Sequence, residues 1–169
     1  MISDQKHRSK SKVRIAINGF GRTGRAATRI ALRNPRCEVV AINSKADTKN
    51  YAYLLKYDSL YGTMPEDIKI VDDKTISFNS QKIKVFSADS DEMPWKPLDI
   101  DIVIEASGKL TKREKAQAHI DGGAKRVIIA APSDNDVSTF VIGVNENLYD
   151  PAKDFIVSNA SCTTNCLAP

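Results

Sequence analysis

Two short segments hold residues whose types and spacing can do chemistry. Near the start, Asn18-Gly19-Phe20-Gly21-Arg22-Thr23-Gly24 sets three glycines in a G-x-G-x-x-G pattern. The pattern is weak alone, because eight glycines in 169 residues can produce one by chance. Here a β-branched apolar run leads in and an Ala- and Arg-rich helical pattern leads out, the context that a dinucleotide pyrophosphate needs. The first glycine permits the tight turn, the second lets the backbone approach the pyrophosphate, and the third lets helix and strand pack closely. The free N–H groups of the helix start then face the anion. At the other end, Ser158-Asn159-Ala160-Ser161-Cys162-Thr163-Thr164-Asn165-Cys166-Leu167-Ala168-Pro169 surrounds a thiol with small and polar residues. That composition suits a strand-to-helix junction with Ser161 as N-cap. A Cys162 in the first turn meets the positive end of the helix dipole, which favours the nucleophilic thiolate. Burial as a small hydrophobe is the competing reading for Cys162. Cys166 shares its helix face one turn deeper, and is expected to be packed or merely adjacent.

A third position sets the choice of dinucleotide. Chains that prefer NAD usually carry Asp or Glu about 20 residues beyond the loop, where it holds the ribose hydroxyls. The count from Gly24 reaches Ser44, and Lys45 follows. A carboxylate there would repel the extra phosphate of NADP, whereas Ser44 and Lys45 can accept it by hydrogen bond and charge. The pair favours NADP, alone or alongside NAD. The alternatives are that Asp47 reaches back to the ribose, or that Ser44 tolerates NAD.

The elements that must position these residues alternate in type. Strands are expected at Val13–Asn18, Glu38–Asn43, Ile100–Glu105, Arg126–Ala130, Thr139–Ile142 and Phe155–Ser158. Helical patterns fall at Arg22–Asn34, Lys49–Tyr57 and Lys112–His119, the last stopped by Gly122-Gly123. Between them, Ile68–Phe86 carries three short β runs separated by turn residues and reads as an inserted antiparallel meander. This order implies an α/β, Rossmann-type doubly wound fold with a mostly parallel sheet. Right-handed crossovers set the ends of the first and fourth main strands beside one central crevice.

Composition narrows the class. Hydrophobic residues make up 41% and charged residues 27%, as in a soluble globular chain. No run approaches the roughly 20 apolar residues of a membrane span. The segment 1–12 reads as a basic, flexible tail: four basic residues against one acid supply three of the four net positive charges. The body is near neutral, so the charge gives no reason to expect nucleic acid as a partner. The tail lacks the apolar stretch of a secretory signal, which implies a cytoplasmic protein. Three cysteines make no disulfide framework, and no Cys/His spacing suggests a metal.

Together, INGFGRTGR and SNASCTTNCLAP resemble phosphorylating glyceraldehyde-3-phosphate dehydrogenase, the enzyme family of glycolysis and gluconeogenesis. LLKYDSLYG, the stretch around Glu105–Gly108, GGAKRVIIAAPS and VIGVN fall in the family's order, so the resemblance covers Val13 to Pro169. It implies that Cys162 attacks the aldehyde of a sugar phosphate, that hydride passes to NAD or NADP, and that inorganic phosphate splits the resulting thioester. It further implies that Asn18, Gly19, Gly21, Arg22 and Thr23 with Gly24 form the cofactor loop. Ser107 and Gly108 match a second cofactor contact, and Ser161 and Thr163 match positions that hold the attacking phosphate. Ser44 replaces the family's usual ribose-binding Asp, as in members that work with NADP. Thr23, Ala130 and Asp89 depart from an aliphatic residue, a Ser and an Arg. The family's general base is a histidine beyond Cys162, and His119 is expected instead to be a surface or half-buried helical residue. The resemblance thus divides the chain into a dinucleotide-binding domain, 13–161, and the truncated start of a catalytic domain, 162–169. Expected of the full-length enzyme is a homotetramer. Erythrose 4-phosphate is the alternative substrate, and a non-catalytic dinucleotide-binding module the alternative if the truncation is native.

Overall fold

The computed structural model describes residues 12–89 and 92–169. The tail expected over 1–12 lies outside these but for Lys12. The chain runs β1 (Val13–Asn18), α1 (Arg22–Arg33), β2 (Cys37–Asn43), α2 (Thr48–Lys56), β3 (Ile68–Asp72), β4 (Thr75–Phe78) and β5 (Gln81–Phe86). It continues through β6 (Ile102–Glu105), α3 (Arg113–Asp121), β7 (Arg126–Ile129), β8 (Ser138–Thr139), β9 (Ile156–Ser158) and α4 (Cys162–Leu167). All described strands join one sheet in the order β3-β4-β5-β2-β1-β6-β7-β9-β8. Pairing is parallel from β5 through β8 and antiparallel within β3-β4-β5, so the meander extends one edge. The direction of strand addition reverses between β1 and β6, the switch point at which doubly wound sheets bind ligands.

Both faces of the central strands are covered, which is why they read as continuous apolar runs. Ile15, Ile17, Val39 and Ile42 pack with Tyr51 and Leu55 of α2 and with Met64 on one face. Ala16, Val40, Ala41 and Val103 pack with Trp95, Leu98 and Ile100 on the other. A third cluster joins Ala116 of α3 to Val127, Ile129 and Ile156. The expected strand over Thr139–Ile142 is shorter and starts one residue earlier. The chain turns back on itself there, with the Val144 N–H donating to the Val141 carbonyl at 3.1 Å.

Candidate functional site

At the switch point, the carboxyl ends of β1, β2 and β6 open into a cleft of about 390 Å³. Asn18, Gly19, Phe20 and Gly21 line it from β1, Asn43, Ser44 and Lys45 from β2, and Ala106, Ser107, Lys109 and Leu110 from β6. Ala88, Asp89 and Met93 close the remaining wall. Of the residues expected from sequence, Asn18, Gly19, Gly21, Ser44, Lys45 and Ser107 meet in this cleft. Arg22, Thr23, Gly24 and Gly108 are not among its lining residues.

The three glycines do three different jobs. Gly19 turns with φ +93°, and a Cβ there would lie 2.4 Å from the Ser107 nitrogen. At Gly24 a Cβ would lie 1.9 Å from the Gly19 carbonyl oxygen, so the first turn of α1 rests directly on the loop. Gly21 has φ −76° and open space where a Cβ would stand. Nothing in the fold itself therefore requires a glycine at this position. Gly21 is also the N-cap of α1, with no side-chain cap and no acid in the first turn. The orphan N–H groups of that turn carry partial positive charge. By contrast, α2 is capped by Asp47, whose Oδ1 accepts from the Asn50 N–H at 2.7 Å. Asp47 is not among the residues that line the cleft.

The β2 exit is held from below. Tyr51 Oη accepts from the Ala46 N–H at 2.7 Å, and the Tyr51 ring meets Phe20 edge-on at 5.1 Å. Ser44 N–H donates to the Phe86 carbonyl at 3.0 Å. Lys45 Nζ reaches across to Asp89 Oδ1, and this contact holds the Asp89 carboxyl below its ordinary range. The sequence gives no sign of this pair, which forms only because β5 lies beside β2.

His119 corrects an expectation. It is fully buried rather than at the surface, because α3 turns it with Ala116 toward the sheet. Trp95 Nε1 donates to its Nδ1 at 3.0 Å, and its Nε2 lies 2.8 Å from Glu105 Oε2. Asn43 was also missed: its Nδ2 donates to Asn18 Oδ1 at 2.8 Å. The signal was available, since β1 and β2 both end in Ile-Asn and the two asparagines pair in register.

The thiol segment forms a separate station. Ser161 caps α4, its Oγ accepting from the Thr164 N–H at 2.9 Å, and Cys162 is the first helical residue. Before it, buried Ala160 takes φ +58°, a conformation uncommon for a residue with a Cβ. Asn165 Nδ2 ties the helix back to the Asn159 carbonyl at 2.7 Å and the Ser161 carbonyl at 2.9 Å. Cys162 and Cys166 are both exposed, so of the two readings for Cys166, packed or merely adjacent, the structure fits the second. Ser161 Oγ and Thr163 Oγ1 stand 2.9 Å apart, presenting two hydroxyls beside the thiol.

Residues 13–113 match the model of the glyceraldehyde 3-phosphate dehydrogenase, NAD binding domain family. The chain belongs to the glyceraldehyde-3-phosphate dehydrogenase family. It is 52% identical to a chloroplastic glyceraldehyde-3-phosphate dehydrogenase of Arabidopsis thaliana, over 95% of this chain and 38% of the relative. It is 45% identical to the glyceraldehyde-3-phosphate dehydrogenase of Geobacillus stearothermophilus, over 93% of this chain and 47% of the relative. A cytosolic relative from Dianthus caryophyllus is 49% identical over the same shares. The chain thus spans less than half the length of these curated glyceraldehyde-3-phosphate dehydrogenases. Among the described residues no helix is long and apolar enough to cross a membrane, and no cluster of His, Cys, Asp and Glu could hold a metal.

Proposed function

We propose that the cleft binds NAD or NADP, with its pyrophosphate on the start of α1, and that the chain is the nucleotide-binding part of a phosphorylating glyceraldehyde-3-phosphate dehydrogenase. The observation that carries the reading is the uncapped start of α1 at Gly21, which lines the cleft and has open space where a Cβ would stand. Bound there, the nicotinamide would supply the hydride acceptor. The residues Asn18, Gly19, Gly21, Arg22, Thr23 and Gly24 build the loop, Ser107 and Gly108 the facing turn, and Ser44 and Lys45 the adenosine end. The Cys162 thiolate forms the bond to the aldehyde carbon of the sugar phosphate. Inorganic phosphate, held by Ser161 and Thr163, then displaces the thiol from the oxidised carbon.

Two observations bound this reading. Ser44 at the ribose position supports use of NADP, alone or with NAD, while Asp89 already engages Lys45. Among the described residues no histidine stands beside Cys162, since Glu105 and Trp95 enclose His119. The full-length enzyme would be a homotetramer working in the cytoplasm, a reading that rests on the family; exposed Ile142, Leu148 and Leu167 offer apolar surface for a neighbouring domain or subunit to cover.

Calorimetric titration with NAD and with NADP tests the cleft. The wild-type chain should bind at least one of them. Gly21→Ala should fold as well as wild type and bind about tenfold or more weakly, because the methyl group stands where the pyrophosphate must approach. Equal affinity in the two proteins would remove the anion from the start of α1.

A further inference from the structure

A buried polar chain runs beneath the cleft and touches each strand end that lines it. Ala88 N–H donates to Asn43 Oδ1 at 2.8 Å, and Asn43 Nδ2 donates to Asn18 Oδ1 at 2.8 Å. Asn18 Nδ2 donates to Glu105 Oε2 at 2.5 Å, where His119 Nε2 also arrives at 2.8 Å. On Glu105 Oε1, the Ser107 N–H at 2.8 Å and the Ser107 hydroxyl at 2.5 Å complete the set. Four donors therefore converge on one carboxylate that is 1% exposed. The protonation pattern follows from the partners. Trp95 Nε1 can only donate, so His119 Nδ1 accepts and the ring proton sits on Nε2, which donates to Glu105. Glu105 is left as acceptor alone, the ionised form, with every favourable direction filled.

A buried charge is costly even when satisfied, and an apolar group of the same shape often serves stability better. This one stands at the switch point, and its partners are the two turns that line it. Asn18 precedes the glycine loop, and Ser107 heads the turn after β6. The two turns are in direct contact, since a Cβ on Gly19 would meet Ser107 N at 2.4 Å and Ala106 C at 2.6 Å. A shift of the Ser107 turn would therefore displace the loop against which the pyrophosphate lies. Ser107 itself has its N–H and hydroxyl proton committed to Glu105, and its Oγ accepts from the Lys109 N–H at 3.1 Å. Its polar atoms fix the turn.

We propose that Glu105 is the positioning residue of the cleft: oriented by His119 and Trp95, its carboxylate sets the glycine loop and the Ser107 turn in the spacing that a dinucleotide requires. This rests on the dinucleotide reading of the cleft. Glu105 touches no ligand and acts through Asn18 and Ser107. Its replacement by Gln keeps the shape but turns an N–H donor onto donors, so the two turns move apart while the apolar core stays intact.

The test uses NAD, and NADP in parallel, titrated into the chain and three variants, with urea unfolding midpoints measured on each. E105Q should bind about tenfold or more weakly than wild type. H119L removes the proton donated to Glu105 and leaves Trp95 Nε1 without an acceptor, and should lose several-fold in affinity. H119Q can both accept from Trp95 and donate to Glu105, and should restore affinity to within about twofold of wild type. Should E105Q not fold, the H119L and H119Q pair decides alone. Affinities of E105Q and H119L within about twofold of wild type would overturn the proposal. So would an H119Q that binds no better than H119L, since the hydrogen-bond pattern would then not matter. If the wild-type chain binds neither dinucleotide, the reading of the cleft fails first and the positioning role falls with it.

Discussion

Ser44 and Asp89 line the same cleft, and on the proposed dinucleotide reading both bear on the cofactor choice. Ser44 carries no charge to oppose a phosphate on the ribose, and Lys45 beside it could meet that phosphate were it not held by Asp89. Both partners of the pair are mostly solvent-exposed, so the contact is easily exchanged. Ser44→Asp should move the ratio of NADP to NAD affinity toward NAD by about tenfold, through repulsion at hydrogen-bond range. Asp89→Asn should move it toward NADP by roughly twofold to fivefold, by releasing Lys45 and removing a nearby negative charge. Parallel titrations with both cofactors read the ratio directly. An unmoved ratio in Ser44→Asp would take the ribose site away from Ser44. Residues of this kind divide by how local their signal is. The glycine spacing and Ser44 were legible because a loop and its following strand lie within one βαβ unit. The Lys45–Asp89 pair was not, because 44 residues separate its members and only the β2–β5 pairing unites them.

Helices α3 and α4 show how an element changes the meaning of its residues. The sequence of α3 is polar nearly throughout, and a histidine in it reads as a surface residue. Yet Ala116 and His119 lie three apart, on the face that the helix buries against the sheet. The partners that make burial tolerable, Glu105 and Trp95, come from other elements and leave no local mark. For α4 the local pattern sufficed: Ser161 caps it, and Cys162 opens it. The two thiols of α4 are both exposed, so their reactivity separates by position along the helix rather than by access. A helix start favours nearby negative charge by about 0.3–1 kcal/mol, which enriches the thiolate roughly twofold to fivefold. Cys162 should therefore react with iodoacetamide about that much faster than Cys166, as read by mass spectrometry of the labelled peptides. Equal rates would deny the helix any part in activating the thiol.

At the scale of the whole molecule, the alternation of strands and helices was enough to give the doubly wound sheet and its meander. A right-handed crossover leaves few ways to lay β2 and β6 on either side of β1, and the cleft follows from that arrangement. The short β8 and the turn after it were less legible, since Val141, Ile142 and Val144 have strand-like side chains in a segment whose hydrogen bonds close locally. The cleft draws on four separate strand exits, so its occupation should register in the stability of the whole sheet. A ligand at 100 times its dissociation constant stabilises the folded state by about 2.7 kcal/mol if it does not bind the unfolded chain. For a domain of this size, 1 kcal/mol moves the thermal midpoint by about 2–4 °C. NAD or NADP at that excess should raise the midpoint by roughly 5–11 °C in differential scanning calorimetry. Gly21→Ala should begin from nearly the wild-type midpoint, because a Cβ there meets nothing, and should show a smaller rise at the same ligand concentration. Gly24→Ala should begin lower even without ligand, since its Cβ would drive into the Gly19 carbonyl. A wild-type midpoint that stays fixed as either dinucleotide is added would mean that the cleft, though shaped by the glycine loop, does not hold one.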